Sequence, residues 1–154
     1  MENLSFGEKE PFVARGPGEY ETKNIFIKGI SSGPKGENVV LNTIYILSVD
    51  KMNICFLGAL SSKIFSPEAR EEIDSVDILF VPLNGGSLTP SDSYAIAVSL
   101  EPKIIIPMDY DENTLKKFLK EGGEEKIEPL DKLTVKQKDV EGKEGEIVVI
   151  ASSA

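Results

Sequence analysis

One of the most apolar stretches of the chain ends in a cluster of acids. In KIIIPMDYDE, Lys103 to Glu112, the apolar run stops at a proline and opens onto Asp109, Asp111 and Glu112. Carboxylates are hard oxygen donors, and three of them converging would suit Mg²⁺ or Ca²⁺. Close neighbours in sequence seldom reach one ion without a loop built for it. Asp111 stands just before a helical pattern and reads as its N-cap, with Glu112 in the first turn, where the helix dipole favours an acid. Asp109 has no such role. It follows a buried strand, the place where α/β proteins tend to put site residues. A second candidate is PLNGGSLTPSD, where Asn84, Gly85 and Gly86 lie between a strand and a helix, an arrangement whose backbone N–H groups can cradle a phosphate. No lysine follows and the glycine spacing is wrong for the P-loop or the dinucleotide fingerprint, so a plain turn before a capped helix is the simpler reading.

The strongest exclusion comes from a residue type that is missing. The 154 residues contain no histidine, which removes Ser-His-Asp and Cys-His catalysis and every histidine-ligated zinc. The one cysteine, Cys55, lies in MNICFLG among the neighbours of a core strand. It has no histidine to activate it and reads as a small buried hydrophobe. A formal net charge of -9, from 17 basic and 26 acidic residues, repels phosphate backbones and anionic lipid, so neither nucleic acid nor membrane is expected as a partner. No apolar run is long enough to cross a bilayer, and MENLSFGEKE lacks the pattern of a signal peptide. The expected location is the cytoplasm.

The elements that would position these residues fall into two regimes. From Pro11 to Leu60 the pattern is β: the glycine–proline turn RGPGEYE enters a strand, and NIFIKGI, NTIYILSV and MNICFLG are rich in branched and aromatic residues. DKMN joins the last two as a hairpin, and SSGPKGEN is a loop. Glu19 and Glu21 share a strand face and could meet lysines across it. After Leu60, helices and strands alternate. Ser66-Pro67 opens one helix and Thr89-Pro90, with Asp92 three residues after the cap, opens another. VDILFVP and KIIIP are the strands of a β–α–β unit and should be parallel. DENTLKKFLKEGG forms a helix with Leu115, Phe118 and Leu119 on one face. DKLTVKQ and GEIVVIAS are read as two closing strands around the charged turn DVEGKEG. The first ten residues are polar and expected to be flexible, and residues 11–151 to form a single domain.

In order, PFVARGPGEYETKNIFIKGI, NTIYILSVDKMNICFLGAL, EEIDSVDILFVPLNGG, LEPKIIIPMDY and IEPLDKLTVKQ resemble the later part of the metallo-β-lactamase superfamily. The branch they most resemble is that of small zinc-dependent hydrolases of the L-ascorbate-6-phosphate lactonase type. The resemblance runs from about Pro11 to Ile150. It implies an α/β (α+β) fold, a sandwich of mixed β-sheets flanked by helices, here without its first part. It also implies a metal site of which this sequence lacks the ligands. The family's His-x-His-x-Asp-His cluster would precede PFVARGPGEYE. A histidine expected after the third matching strand is replaced by ISSGPKG, and a His-Leu-Gly-Asp turn, whose aspartate bridges metals in the family, by FLGAL, with Phe56 and Ala59 at the matching positions. A Pro-Met-His-Tyr strand end has Asp109 in place of its histidine.

Zinc hydrolysis needs several ligands and an open position on the ion, which one carboxylate cannot provide. The expectation is a catalytically inactive domain, with no zinc or other cofactor, acting through assembly or binding. Phe56, Ala59 and Asp109 are its relic-site positions. The rival reading is a metal-dependent hydrolase, lactonase- or phosphodiesterase-like, whose histidine loop comes from a complementary chain or a longer gene product. A third is a binder of a small anionic ligand in the cleft between Ala59, Asn84, Gly85, Gly86 and Asp109. Because the superfamily fold joins two similar halves, a homodimer is expected to cover the face that a lone half leaves open.

Overall fold

The computed structural model describes residues 10–32, 42–60, 67–84 and 88–151. Their centre is one mixed sheet of seven strands in which every strand neighbours the next in sequence. An antiparallel meander comes first: β1 (Gly18–Thr22), β2 (Ile25–Ser32), β3 (Asn42–Val49) and β4 (Met52–Phe56). Two-residue turns join β1 to β2 and β3 to β4. Lys23 and Asn24 have φ of 48° and 64°, Asp50 and Lys51 48° and 61°, the left-handed pair that matches the twist of a tight hairpin. Asn24 therefore belongs to a turn, one residue before the strand begins.

From β4 onward the sheet is parallel, continuing through β5 (Ile78–Pro82), β6 (Ile104–Met108) and the short β7 (Glu146–Ile147). The expected β–α–β unit is present, with α2 (Pro90–Ser99) as its crossover. α1 (Pro67–Glu72) precedes β5, α3 (Glu112–Glu121) follows β6, and a single turn of helix, α4 (Gln137–Val140), lies before β7. Both long helices start as their sequences require. The Thr89 hydroxyl accepts from Asp92 N and the Asp92 carboxylate from Thr89 N, while Asp111 and Thr114 make the same reciprocal pair. Pro67 opens α1, and Ser66 lies outside the described residues, as does the loop expected around SSGPKGEN beyond Ser32.

Period-2 alternation sorts the apolar residues onto two faces. Cys55, Leu57, Leu79, Val81, Leu83 and Ile105 point to the side carrying Ala69, Ile96, Ala97, Phe118 and Leu119 from α1, α2 and α3. Tyr94 meets Phe118 edge-on at 5.6 Å, joining α2 to α3. The opposite face carries Met52, Ile78, Ile104 and Ile106, covered by Val140 and by Leu133 and Val135 of the preceding segment. Full burial of each such side chain contributes about 1.5–3 kcal/mol, which makes these two clusters the main stabilising term. On this second face, Ile25, Ile27, Leu47 and Val49 of β2 and β3 are only half-buried.

The chain end departs from expectation. Among the described residues, Asp131 to Lys136 of DKLTVKQ form no strand and Gln137 opens α4, while GEIVVIAS contributes only β7 and a bridge from Ile150 to Leu130. The apolar residues of DKLTVKQ cap the second face from above. Strand-like composition here reflects that packing and no ladder. Glu19 does lie opposite Lys28, but the lysine Nζ pairs with Glu72 at 3.6 Å.

Candidate functional site

The parallel strands β4, β5 and β6 end at one edge of the sheet, and the β2 end and β3 start reach the same edge through the Ser32–Asn42 pair. Three successive strand ends there carry the positions singled out above. Phe56 closes β4 and Ala59 lies three residues beyond it. Asn84 follows β5, and Asp109 follows β6. A backbone bond from Leu83 N to Met108 O, 3.0 Å, holds the second and third ends together, and one from Leu57 N to Phe80 O, 3.3 Å, holds the first and second. Ser93, fully buried in α2, donates to Pro82 O at 2.8 Å and fixes the helix against the end of β5. The opposite ends of these strands are braced by Asp77, whose carboxylate accepts from Asn53 N at 2.8 Å and pairs with Lys103 Nζ at 3.0 Å.

The FLGAL turn is held by a residue that the sequence pattern did not single out. Asn42 Nδ2 donates to Leu57 O at 2.8 Å and to Ser32 Oγ at 3.0 Å, while its Oδ1 accepts from Ala59 N at 3.0 Å. One amide thereby spends both donor and acceptor functions on joining β2, β3 and the turn after β4. Gly58, at φ +67°, is required twice over: the left-handed backbone suits glycine, and a Cβ would sit 2.6 Å from Asn42 Oδ1. The only signal in the sequence was an asparagine, a poor strand former, at the head of the branched run NTIYILSV.

Phe56 and Phe80 occupy paired positions on adjacent parallel strands, and their rings stack at 4.4 Å with 9° between planes. Phe80 was also missed, because only the register brings it beside Phe56. Both rings are half-buried and fill the second face of the sheet just below the edge. Ala59 is exposed and brings no donor atom except its backbone. Asn84 is exposed as well, and Gly85 and Gly86 lie outside the described residues.

Asp109 is exposed and has φ +50°. Aspartate is among the few non-glycine residues that tolerate this region. Its neighbours have separate duties. The Tyr110 hydroxyl donates to Ile150 O, tying the loop to the chain end, and Asp111 caps α3 as expected. The bond from Thr114 N is the main reason that the Asp111 carboxyl titrates below its ordinary value. Cys55 is fully buried on the helix side, and desolvation pushes its thiol up to about 12. It is held as a neutral thiol in the core and does not open onto this edge.

The family to which these motifs point is decided by comparison with known proteins. Residues 4–109 match the profile of the Beta-lactamase superfamily domain. The chain belongs to the metallo-β-lactamase superfamily. Among solved structures, it is similar to a protein from Thermotoga maritima assigned as a zinc-dependent hydrolase of that superfamily. They share 27% identity and a TM-score of 0.68, over 90% of this chain and 70% of the other. The fold is also shared with a metal-dependent hydrolase assigned in Parabacteroides distasonis (22% identity, TM-score 0.52, 73% of this chain and 55% of that one). A third likeness is to the metallo-β-lactamase fold protein YhfI from Bacillus subtilis (10% identity, TM-score 0.57, 98% and 57%). The chain thus spans little more than half the length of the latter two. No functionally curated protein matches it.

A metal is the group that the superfamily implies, and the residues here do not fit one. Among the described residues no group of three histidine, cysteine or acidic side chains is placed to hold an ion. The whole sequence offers no histidine. At the edge where the resemblance puts ligands stand a stacked phenylalanine, an alanine and one exposed carboxylate, and zinc requires at least three protein donors.

Proposed function

We propose that this superfamily member is catalytically inactive and works through assembly or binding. The observation that carries the reading is the Phe56–Phe80 stack beside the exposed Ala59. A methyl group stands where the resembled family carries its metal-bridging aspartate, and apolar bulk fills the position of the histidine three residues before it. No step of metal-assisted hydrolysis can be written with Asp109 alone.

Assembly as a homodimer is the companion proposal. It is supported by the second face of the sheet, where Ile25, Ile27, Leu47, Val49, Ile54 and Phe56 form a half-buried apolar band across three strands. Bands of this kind mark interaction surfaces, and a two-fold axis would let each copy cover the other.

The 27% identity to an assigned zinc-dependent hydrolase supports one rival, a metal-dependent hydrolase completed by histidines from another chain. Metal analysis of protein purified from zinc- and manganese-supplemented cells separates the two. The inactive reading expects metal far below one ion per chain and no turnover of lactone or phosphodiester substrates. Stoichiometric metal would overturn it. Light scattering checks the dimer, and a monomer at micromolar concentration would refute that part alone.

A further inference from the structure

At the outer side of the sheet, β1 has β2 as its one neighbour among the described residues. Its sequence, GEYET, alternates cleanly. Glu19 and Glu21 are exposed on the helix-covered face, and Tyr20 lies on the other, where Phe12 meets its ring edge-on at 6.4 Å. Phe12 itself is 54% exposed. Inward from Glu19 a groove of about 350 Å³ is lined by Phe26, Lys28, Ile46, Glu72 and Asp74. Phe26 is 57% exposed, an unusual state for a phenylalanine in a strand. Among the described residues the groove's one lysine is engaged by Glu72. Glu19, Glu21 and Asp74 leave the rim acidic.

We propose that the outer edge of β1, beside this acidic rim, receives an extended segment of another polypeptide that carries lysine or arginine at alternate positions with an apolar residue between them. An outer strand presents unpaired N–H and C=O groups, and a peptide adds to it by main-chain hydrogen bonds while its side chains alternate between the faces. In an antiparallel addition, the residues opposite Glu19 and Glu21 are two apart and point to the acidic face. There each basic head meets a carboxylate across the new strand pair. The residue between them faces Tyr20 and Phe12. A second copy of this chain does not fit, since pairing β1 with β1 would set Glu19 and Glu21 against their own kind. The net charge of -9 assists encounter with a basic segment.

The test is an NMR titration of the full chain with two capped peptides of equal composition and charge, Thr-Lys-Val-Lys-Thr and Thr-Lys-Lys-Val-Thr. The alternating peptide should bind in the millimolar range or tighter, shifting the amides of Gly18–Thr22 and of Phe26 and Lys28. The permuted peptide should bind more weakly. The exposed double variant Glu19→Lys, Glu21→Lys should weaken the alternating peptide about tenfold, as the loss of two cross-strand ion pairs predicts. Equal binding of the two peptides, shifts elsewhere on the surface, no binding at millimolar peptide, or indifference to the double charge reversal would each overturn the proposal. Unchanged circular dichroism of the variant shows that the fold is intact.

Discussion

Replacing Asn42 by alanine tests whether one amide holds the FLGAL turn. The substitution removes three hydrogen bonds, to Leu57 O, Ser32 Oγ and Ala59 N, of 2.8, 3.0 and 3.0 Å. Each is worth about 0.5–1.5 kcal/mol net when both partners are otherwise satisfied. Ala59 is exposed, so water replaces the bond to its N–H, whereas the carbonyl of the buried Leu57 is harder to reach. The expected loss is therefore about 2 kcal/mol, and at about 2–4 °C per kcal/mol in a domain of this size the midpoint should fall by about 4–8 °C. Asn42→Asp separates the parts. It keeps an acceptor for Ala59 N but turns a carboxylate oxygen toward Leu57 O, so at neutral pH it should destabilise at least as much as alanine. Amide hydrogen exchange distinguishes the variants: Ala59 should lose protection in Asn42→Ala and keep most of it in Asn42→Asp. If the Ala59 amide exchanges at the wild-type rate in Asn42→Ala, or the midpoint does not fall, the turn is held by something else.

Three further outcomes follow from named contacts. The Cys55 thiol, raised to about 12 by burial against an ordinary 9.0, should ignore a thiol reagent at pH 8 in the native protein and react fully in denaturant. Because the folded state keeps that proton while an unfolded thiol ionises above about pH 9, thermal stability should decline as pH rises past 9, and Cys55→Ala should remove that part of the decline. Asp111 is shifted the other way: its folded value lies below the ordinary 3.8, so its stabilisation is complete above that pH and is lost as pH falls through the folded value. The difference in melting point between wild type and Asp111→Asn should therefore shrink on acidification. Finally, a Cβ at Gly29 would lie 2.5 Å from Gly16 O, where residues 14–16 cross the sheet. Gly29→Ala should destabilise by about 1–3 kcal/mol in urea unfolding, and an unaltered midpoint would show that this crossing yields freely.

The strands and long helices were legible because each carries its own local signal. Branched runs with tight turns gave β2 to β6, and Thr89 and Asp111 announced their helices by residue type and spacing. DKLTVKQ misled because its alternation serves packing onto Ile78 and Ile104 with no strand beside it. The site was legible as positions and not as contacts. Phe56, Ala59 and Asp109 could be placed from motif order, but their partners depend on register. Phe80 stacks on Phe56 only because β4 and β5 run parallel in that alignment. Asn42 reaches Ala59 only because β3 starts where the FLGAL turn ends. Neither relation leaves a mark on a single stretch of sequence.

The edge at the ends of β4, β5 and β6 combines a well-specified backbone with few donor side chains among the described residues. Gly58 and Asp109 both adopt left-handed φ, at +67° and +50°, a region that glycine and aspartate accept more readily than most residues. They are fixed here by Asn42 on one side and, on the other, by the Leu83–Met108 bond and the anchoring of Tyr110. Yet the side chains that the braced turns present are an apolar stack, a methyl and one carboxylate in water. A metal site depends on both a rigid frame and a donor set, and among the described residues only the frame is present. That asymmetry supports binding or assembly over catalysis more directly than the missing histidines do. Histidines could come from another chain, but the space beside Phe56 is already filled by Phe80 of the same sheet.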